Sequence, residues 1–363
     1  MRSVKLIFFL LLASWISSAG QDATDAGTPP EGLSFRLRTL NFVKNNEYSN
    51  PIVEGYTLIG YFLQPELVYT PSSKFSLGIG AHMLRYSGAE KFSALRPVVS
   101  ARYNFARNAA LTMGSLGGSD SHRMLDPHFS SERIYTGWAE EGIALSFRGD
   151  KLFNDTWLSW ENFIFRGDSV REVFTFGESL KYSSSLISDI FRFEIPLQVQ
   201  FRHYGGQISD YPEPVETYFN LATGARVNID IAGKRYGTAG FEYSLFLSNE
   251  LTGKSTIGLS SGNAEWFRLN YGLRNLQIEI GYWIAHNFYA PNGNPIFSCV
   301  SDYNEGSIIP DRRIATGSVN LTIIPESFFH LFAGLDAWYD TKLKRLDTAV
   351  ALHLRLDRFF GRR

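Results

Sequence analysis

Residues 190–231 alternate apolar and polar side chains over two long arms, and this alternation limits what the chain can fold into. A period of two predicts β-strands, because successive side chains of a strand point to opposite faces of a sheet. Each arm has about 11 residues, which fits a tilted bilayer-spanning strand of ~9–11 residues better than a soluble strand of ~5–6. The apolar set of the first arm is Phe191, Phe193, Ile195, Leu197, Val199 and Phe201, and the polar set is Arg192, Glu194, Gln198, Gln200 and Arg202.

Strand-like segments recur along the rest of the chain. The candidates are residues 33–43, 57–70, 74–87, 95–105, 109–117, 140–148, 155–165, 171–182, 190–204, 214–231, 235–248, 263–274, 275–286, 312–324, 328–340 and 345–357. The even-numbered connections between them are mostly tight, whereas several odd-numbered connections are long. Short turns at one end and longer loops at the other are typical of outer-membrane barrels. The sequence therefore predicts an all-β fold, a transmembrane antiparallel β-barrel of about 16 strands (14 as the alternative), closed as an up-and-down meander.

The apolar positions also predict which face of each strand meets lipid. In the segment 275–286 the even positions are apolar, with Ile280 near the middle. In the segment 345–357 the even positions include Leu352. Tyr69, Phe105 and other aromatic residues would lie on the same outer face beside periplasmic turns, where barrels carry an aromatic girdle. The alternation is weakest in segments 33–43, 109–117 and 140–182, where the strand assignment rests more on composition.

The N-terminus predicts export. Arg2 and Lys5 precede an apolar run at residues 6–16, and small residues follow at 17–20. That run is too short for a membrane-spanning helix and is typical of a secretory signal peptide. We expect a signal peptide at residues 1–20, a disordered periplasmic leader at 21–32 and a barrel at 33–360. The protein would then reach the cell outer membrane after signal-peptide export to the periplasm.

With these features, residues 33–360 resemble the outer-membrane β-barrel proteins of Gram-negative bacteria. Gln21 after the predicted signal and the sixteen-strand layout are similar to porin-like barrels of the Bacteroidota. The resemblance implies outer-membrane lipid and the barrel-insertion machinery as partners. Protein partners at the loops or periplasmic turns are a further expectation. A formal net charge of -1 gives no general attraction to nucleic acid, and none is expected as a partner.

Charged residues on the face opposite the apolar one predict a polar interior. They carry both signs, and charges in a protein interior must pair or contact water. Barrels of about 16 strands are wide enough to leave an aqueous channel, which favours a channel over closure by ion pairs or an infolded loop. The predicted lumen-lining residues are Arg192, Glu194, Arg202, Arg226, Asp230, Arg268, Glu279, Asp336 and Arg355.

The loop at residues 118–139 contains most of the reactive side chains. His128 and Ser130 look like the His-x-Ser pair of outer-membrane phospholipase, which lies on the lipid-facing barrel wall. Here the pair follows Pro127 in a predicted loop, and a hydrolase is the least favoured of three functions. The histidines and acids of this loop fit no metal-ligand spacing, so neither a metal nor a cofactor is expected.

Three functions therefore stay open. The favoured one is a porin-like channel for small polar solutes, with no catalytic residues and no enzymatic activity. The first alternative is an accessory or structural barrel that acts through protein partners. The second is a lipid hydrolase embedded in the membrane.

Overall fold

The computed structural model describes residues 29–186, 190–206, 208–232, 234–304, 306–326 and 328–361. The predicted signal peptide and residues 21–28 of the predicted leader lie outside the described residues. Strands occupy most of the described part of the chain. They are β1 Gly32–Glu47, β2 Thr57–Ser72, β3 Phe75–Tyr86, β4 Ala94–Ala106, β5 Ala109–Ser115, β6 Glu141–Arg148, β7 Leu152–Asn162, β8 Glu172–Leu186, β9 Phe191–Gly205, β10 Glu216–Asp230, β11 Thr238–Glu250, β12 Ser261–Leu273, β13 Leu276–His286, β14 Asp311–Glu326, β15 Phe329–Asp340 and β16 Arg345–Phe360.

The sixteen strands form one closed antiparallel barrel in meander order, which confirms the predicted fold. The seam joins β1 to β16 in a register that runs from Phe35 opposite Phe360 to Glu47 opposite Thr348. Every backbone group of a closed barrel finds a partner on a neighbouring strand, which is why such barrels can span lipid. Among the described residues, the structure contains no helix of the length and apolarity needed to cross a membrane.

The two faces of the barrel differ as the alternation predicted. Large apolar side chains stand exposed on the outer face, where Ile280 is 57% and Leu352 is 44% exposed. Polar side chains on the inner face are buried, and Gln200 and Ser244 are 0% exposed. An apolar outer band around a polar interior is typical of barrels that span a lipid bilayer.

Arginine at Ile280 or Leu352 tests this assignment of faces. Each substitution should lower the free energy of unfolding by roughly 2–4 kcal/mol, because a cation on the lipid face near the midplane must leave water. The measurement is urea unfolding of the barrel in lipid vesicles, with Gln277→Arg on the inner face as the control. Unchanged stability of both outer-face variants would contradict the assignment.

The interior is filled by two loops that fold into the barrel. In the β5–β6 loop, residues 116–140, Asp120 contacts Arg355 of β16, whereas the backbone N–H of Leu125 donates to Gln198 of β9. β16 and β9 lie on opposite sides of the closed ring, so a loop that contacts both must cross the lumen. The loop contains a 3-10 turn at Ser119–His122 and one helical turn, α1, at Arg133–Thr136.

The second infolded segment is the β13–β14 loop, residues 287–310. Its Phe288 packs against Trp283 and Phe246 on the inner wall, and its Phe297 packs against Trp283, with ring centroids 5.2–5.9 Å apart. The loops also touch each other, because the backbone N–H of Ser130 donates to the carbonyl of Asn292 over 2.7 Å. The lumen of this barrel is therefore largely occupied by its own chain.

Candidate active site

The nine charged residues predicted to line the lumen are held in ion pairs. Two pairs join members of the predicted set, and the other five residues pair with groups that the sequence had not indicated. That these side chains line a water-filled lumen stays a prediction. The ion pairs are Arg192–Asp230 at 2.8 Å, Arg268–Glu279 at 3.3 Å, Glu194–Lys181 at 3.3 Å, Arg202–Glu161 at 2.6 Å, Arg226–Glu242 at 3.9 Å, Asp336–Lys44 at 3.7 Å and Arg355–Asp120 at 2.6 Å. Arg268 approaches Glu242 more closely than it approaches Glu279.

His128 and Ser130 both lie in the infolded β5–β6 loop, inside the barrel, and not on the lipid-facing wall where the phospholipase pair lies. His128 is 1% exposed, and burial lowers its pKa to about 4. The Ser130 hydroxyl accepts a hydrogen bond from the backbone N–H of Glu132, and no bond joins it to His128 among the described residues. A nucleophile needs a base within reach, and a hydrolytic role for this pair stays a prediction.

His122, in the same loop, anchors the loop to the barrel wall. Its Nδ1 contacts Asp155 of β7 at 2.6 Å, and its Nε2 contacts Glu140 at 2.7 Å. The ring stacks on Trp157 at 3.6 Å, and Trp157 in turn covers Gly177, where a Cβ would lie 2.2 Å from the indole. Burial disfavours the charged imidazole, but the two carboxylates outweigh burial and raise the pKa of His122 to about 9. The imidazolium is thus a structural cation with both nitrogens engaged.

This raised pKa makes the anchor depend on pH. A pKa that rises from 6.5 to about 9 on folding contributes stability that is complete below pH 6.5 and is lost as pH rises through 9. We expect the free energy of unfolding to fall by an amount on the order of 3 kcal/mol over that range. Urea unfolding at a series of pH values measures it, and His203→Gln, at a histidine bonded to a threonine hydroxyl, is the control. A flat profile in wild type would contradict the role of His122.

A second polar cluster lies on the outer face, at the end of the barrel that carries the long loops. The register places Asn263 of β12, His286 of β13 and Asp311 of β14 side by side. His286 falls on the same face as Ile280 and Ile284, the lipid-facing row of β13. Long loops are extracellular in such barrels, so this cluster stands at the extracellular rim.

The hydrogen bonds of the rim cluster fix the imidazole of His286. Its Nδ1–H donates to Oδ1 of Asp311 over 2.8 Å, and its Nε2 accepts from the amide of Asn287 over 3.2 Å. Lys342 approaches the other carboxylate oxygen of Asp311 at 3.4 Å. The side chains of His286 and Asp311 are 58% and 55% exposed. This arrangement places the basic lone pair on Nε2, where it faces the Asn287 amide, and the half-exposed ring stands at a surface that a lipid can reach.

A hollow of about 270 Å³ extends from the cluster along the outer face. It combines apolar borders at Ile284 and Ala285 with charges of both signs, which suits a molecule that is part lipid and part polar headgroup. The other side chains that border it are Asn263, Glu265, Ala285, His286, Asp311, Arg312, Arg313 and Lys342. Within the described residues, no group of three or more histidine, cysteine, aspartate and glutamate side chains is arranged to hold a metal.

This cluster was not predicted from the sequence. The alternation of residues 275–286 places the even positions of β13 outward, and the same row continued to the strand end brings His286 to the outer face. Asp311 could not be joined to it, because a loop of residues 287–310 separates the two and only the strand register brings them together.

Comparisons with known proteins support the fold. OmpTΔL8, a loop-deletion mutant of an outer membrane protein of Vibrio cholerae, matches with a TM-score of 0.52 and 9% identity over 91% of this chain and 100% of that chain. OprD of Pseudomonas aeruginosa matches with a TM-score of 0.51 and 10% identity over 94% and 99%. OccAB2 of Acinetobacter baumannii matches with a TM-score of 0.50 and 13% identity over 92% and 100%. At these identities the likeness concerns the fold, and it confirms the outer-membrane barrel. No curated protein sequence matches the chain.

A family model gives the remaining finding. The model described as "Lipid A 3'-O-deacylase-type" matches residues 24–362. Because this description names an enzyme family, the expectation that the protein has no enzymatic activity is wrong. With nearly the whole chain of 363 residues matched, the protein belongs to the lipid A 3'-O-deacylase-type family.

Proposed function

We propose that this protein is an outer-membrane ester hydrolase that removes an acyl chain from a lipid A-type glycolipid, with His286 as the general base. The observation that carries the proposal is the His286–Asp311 pair, exposed on the lipid-facing surface at the extracellular rim. Lipid A lies in the outer leaflet, so its acyl esters come to this level of the barrel wall. The family of the chain supports an ester substrate.

The chemistry follows from the tautomer of His286. A water molecule replaces the Asn287 amide as the hydrogen-bond partner of Nε2. Nε2 then takes a proton from this water, whose oxygen forms a bond to the ester carbonyl carbon. The bond from that carbon to the sugar oxygen then breaks, and Nε2 returns the proton to the departing oxygen. Asp311 holds Nδ1–H and stabilises the imidazolium between these steps. Water is the nucleophile in this scheme because, among the described residues, no serine or threonine hydroxyl is hydrogen-bonded to His286.

The cations of the rim hollow provide a place for the headgroup. Arg313 is exposed beside Ile284, its partner in the β13–β14 register. Lys342 lies on the other side of Asp311. Guanidinium and ammonium groups bind phosphate through charge-assisted hydrogen bonds, and lipid A carries phosphates on its sugars. An acyl ester next to a bound phosphate would then stand close to Nε2.

The test is hydrolysis of purified lipid A by the folded barrel in detergent, followed by mass spectrometry of the shortened lipid and the released fatty acid. His286→Ala and Asp311→Asn should each lower the rate by about 10²–10⁴-fold, because they remove the base or its orientation. His203→Ala is the matched control, since this outward rim histidine bonds the Thr217 hydroxyl at 2.9 Å instead of a carboxylate. Absence of hydrolysis by wild type, or full activity of His286→Ala, would contradict the proposal.

A narrow passage for small polar solutes is the second candidate, and one observation favours it. A cavity of about 450 Å³ remains inside the barrel between the β5–β6 loop and the turn at Arg274 and Asn275. Lys44, Asp336 and other charged side chains border it. The cavity supports a solute-filled vestibule, and the infolded loop determines whether the vestibule continues to the outside. An accessory barrel acting through protein partners stays a prediction.

A further inference from the structure

Besides the rim cluster at His286, the outer face carries another polar cluster, in strands β7 and β8. The carboxylate of Glu178 accepts one hydrogen bond from the amide of Asn154 and another from the hydroxyl of Thr156. The amide nitrogen of Asn154 also donates to the hydroxyl oxygen of Thr156 over 3.4 Å. All three side chains are half-buried.

The direction of these side chains is fixed by their neighbours. Along β7 the alternate residues Asp155 and Trp157 are buried and contact His122 inside the barrel. Asn154 and Thr156 therefore point outward. In the strand register, Thr156 has Glu178 of β8 on one side and Leu145 of β6 on the other. The cluster is thus a polar island in the lipid-facing wall, with apolar neighbours.

The side-chain bonds of Glu178 join β7 to β8, two strands that the backbone ladder already pairs. A charged group in contact with hydrocarbon is costly, and ionisable residues there are functional-site candidates by default. Replacing a buried polar network by apolar side chains of similar size is often neutral or stabilising. Valine and leucine at these positions would continue the apolar wall that surrounds them.

The depth of the island matches the ester level of the inner leaflet. Thr156 follows the short periplasmic turn at Lys151 by five residues. With a strand rise of about 3.4 Å and a tilt of about 40°, Thr156 lies roughly 13 Å and Asn154 roughly 8 Å from that turn along the membrane normal. The headgroup layer on one side of a bilayer is about 5–8 Å thick. With that turn at the membrane surface, Asn154 lies at the boundary where the ester groups of glycerophospholipids meet their acyl chains, and Thr156 lies roughly 5 Å deeper.

From this geometry we infer a second hydrolytic site, at which Thr156 cleaves acyl esters of inner-leaflet glycerophospholipids. The Thr156 hydroxyl gives its proton to Glu178 while its oxygen forms a bond to the ester carbonyl carbon. The bond from that carbon to the glycerol oxygen breaks, and Glu178 returns the proton to that oxygen. A water molecule then gives a proton to Glu178 and bonds the acyl carbon, and the Thr156 oxygen leaves with the proton. Asn154 orients the carboxylate and donates to the developing oxyanion.

The test uses vesicles of phosphatidylethanolamine and phosphatidylglycerol with deuterated acyl chains and the full-length folded barrel. Wild type should release deuterated fatty acid and lysophospholipid. Thr156→Val and Glu178→Gln should each lower the rate by about 10²–10⁴-fold. Thr223→Val is the matched control, because this threonine is also outward but bonds the backbone carbonyl of Pro196 at 3.0 Å. Folding of each variant is checked by heat-modifiable gel migration.

An acyl-enzyme gives a second readout besides the rate. Trypsin releases residues 152–166 as one peptide, because Lys151 and Arg166 flank a stretch without lysine or arginine. After acid quenching, that peptide should gain the mass of one deuterated acyl chain, and fragmentation should place the chain on Thr156. The Thr156→Val protein should show no such mass.

The assay is repeated in the His286→Ala background to separate this site from the rim site. Phospholipid hydrolysis that continues there, and depends on Thr156, supports the inference even if lipid A is not a substrate. Phospholipid hydrolysis that disappears with His286→Ala but continues in Thr156→Val would assign the activity to the rim site and overturn the inference. No phospholipid hydrolysis by the folded wild type would overturn it as well, whatever the result with lipid A.

Discussion

Deletion of residues 119–137 from the β5–β6 loop is expected to turn the barrel into an open conductor in planar bilayers. This segment crosses the lumen between β16 and β9. Barrels of about 16 strands are wide enough for an aqueous channel, so the deletion should leave a water-filled path beside the β13–β14 loop. The full-length protein should give little or no stepwise current, whereas the deletion protein should give discrete open-channel steps. The expected change is thus from a closed to a conducting state.

Shortening the β9–β10 loop is the control for that deletion. The β9–β10 loop pairs with the neighbouring β7–β8 loop, because the backbone N–H of Gly167 donates to the carbonyl of Ile208. Shortening the β9–β10 loop should therefore leave the current unchanged. Equal conductance of the full-length and deletion proteins would contradict the role of the β5–β6 loop as a plug. If both proteins conduct, the result would also favour the narrow passage over a closed vestibule.

The second large effect is expected at the Arg312–Asp340 pair. Both side chains are 1% exposed, and Nη1 of Arg312 also donates to the carbonyls of Ile296 and Ser298 in the β13–β14 loop. Asp340→Asn strands the buried guanidinium and should lower the free energy of unfolding by about 3–5 kcal/mol. Urea unfolding in vesicles measures the loss.

An exposed pair in the same region provides the comparison. Lys342 and Asp311 are 41% and 55% exposed, so Lys342→Gln should lower the free energy of unfolding far less than Asp340→Asn does. In the double variant Arg312→Met with Asp340→Leu, neither charge is left alone, and most of the loss should be recovered. A loss in Asp340→Asn no larger than that in Lys342→Gln would show that Arg312 keeps access to water.

The strands could be predicted from the sequence because each one alternates by itself. The clearest departure is β7, predicted at 155–165 and found at Leu152–Asn162. Asn154 and Thr156 point to lipid there, and polar residues on the apolar face conceal the period of two. Local alternation therefore fails where the outer face carries a polar island.

The candidate site could not be predicted in the same way, because its parts meet only after folding. His286 and Asp311 come together through the β13–β14 register across an intervening loop. The contact between Asp120 and Arg355 likewise joins residues at distant positions in the chain. The alternation fixes which face each wall residue occupies, but it does not fix whether a long loop extends outward or folds inward.

The inward course of the β13–β14 loop has a mechanical consequence for the outer surface. The loop begins directly after His286 and ends directly before Asp311. Phe288, two residues beyond His286, is wedged among the aromatic rings of the inner wall. Packing inside the barrel therefore holds the imidazole of His286 in line with the carboxylate of Asp311 on the outer surface. A molecule that enters the lumen and displaces Phe288, or a smaller side chain at that position, would therefore shift His286 relative to Asp311 on the outer surface. The proton-transfer geometry of the pair would change with it.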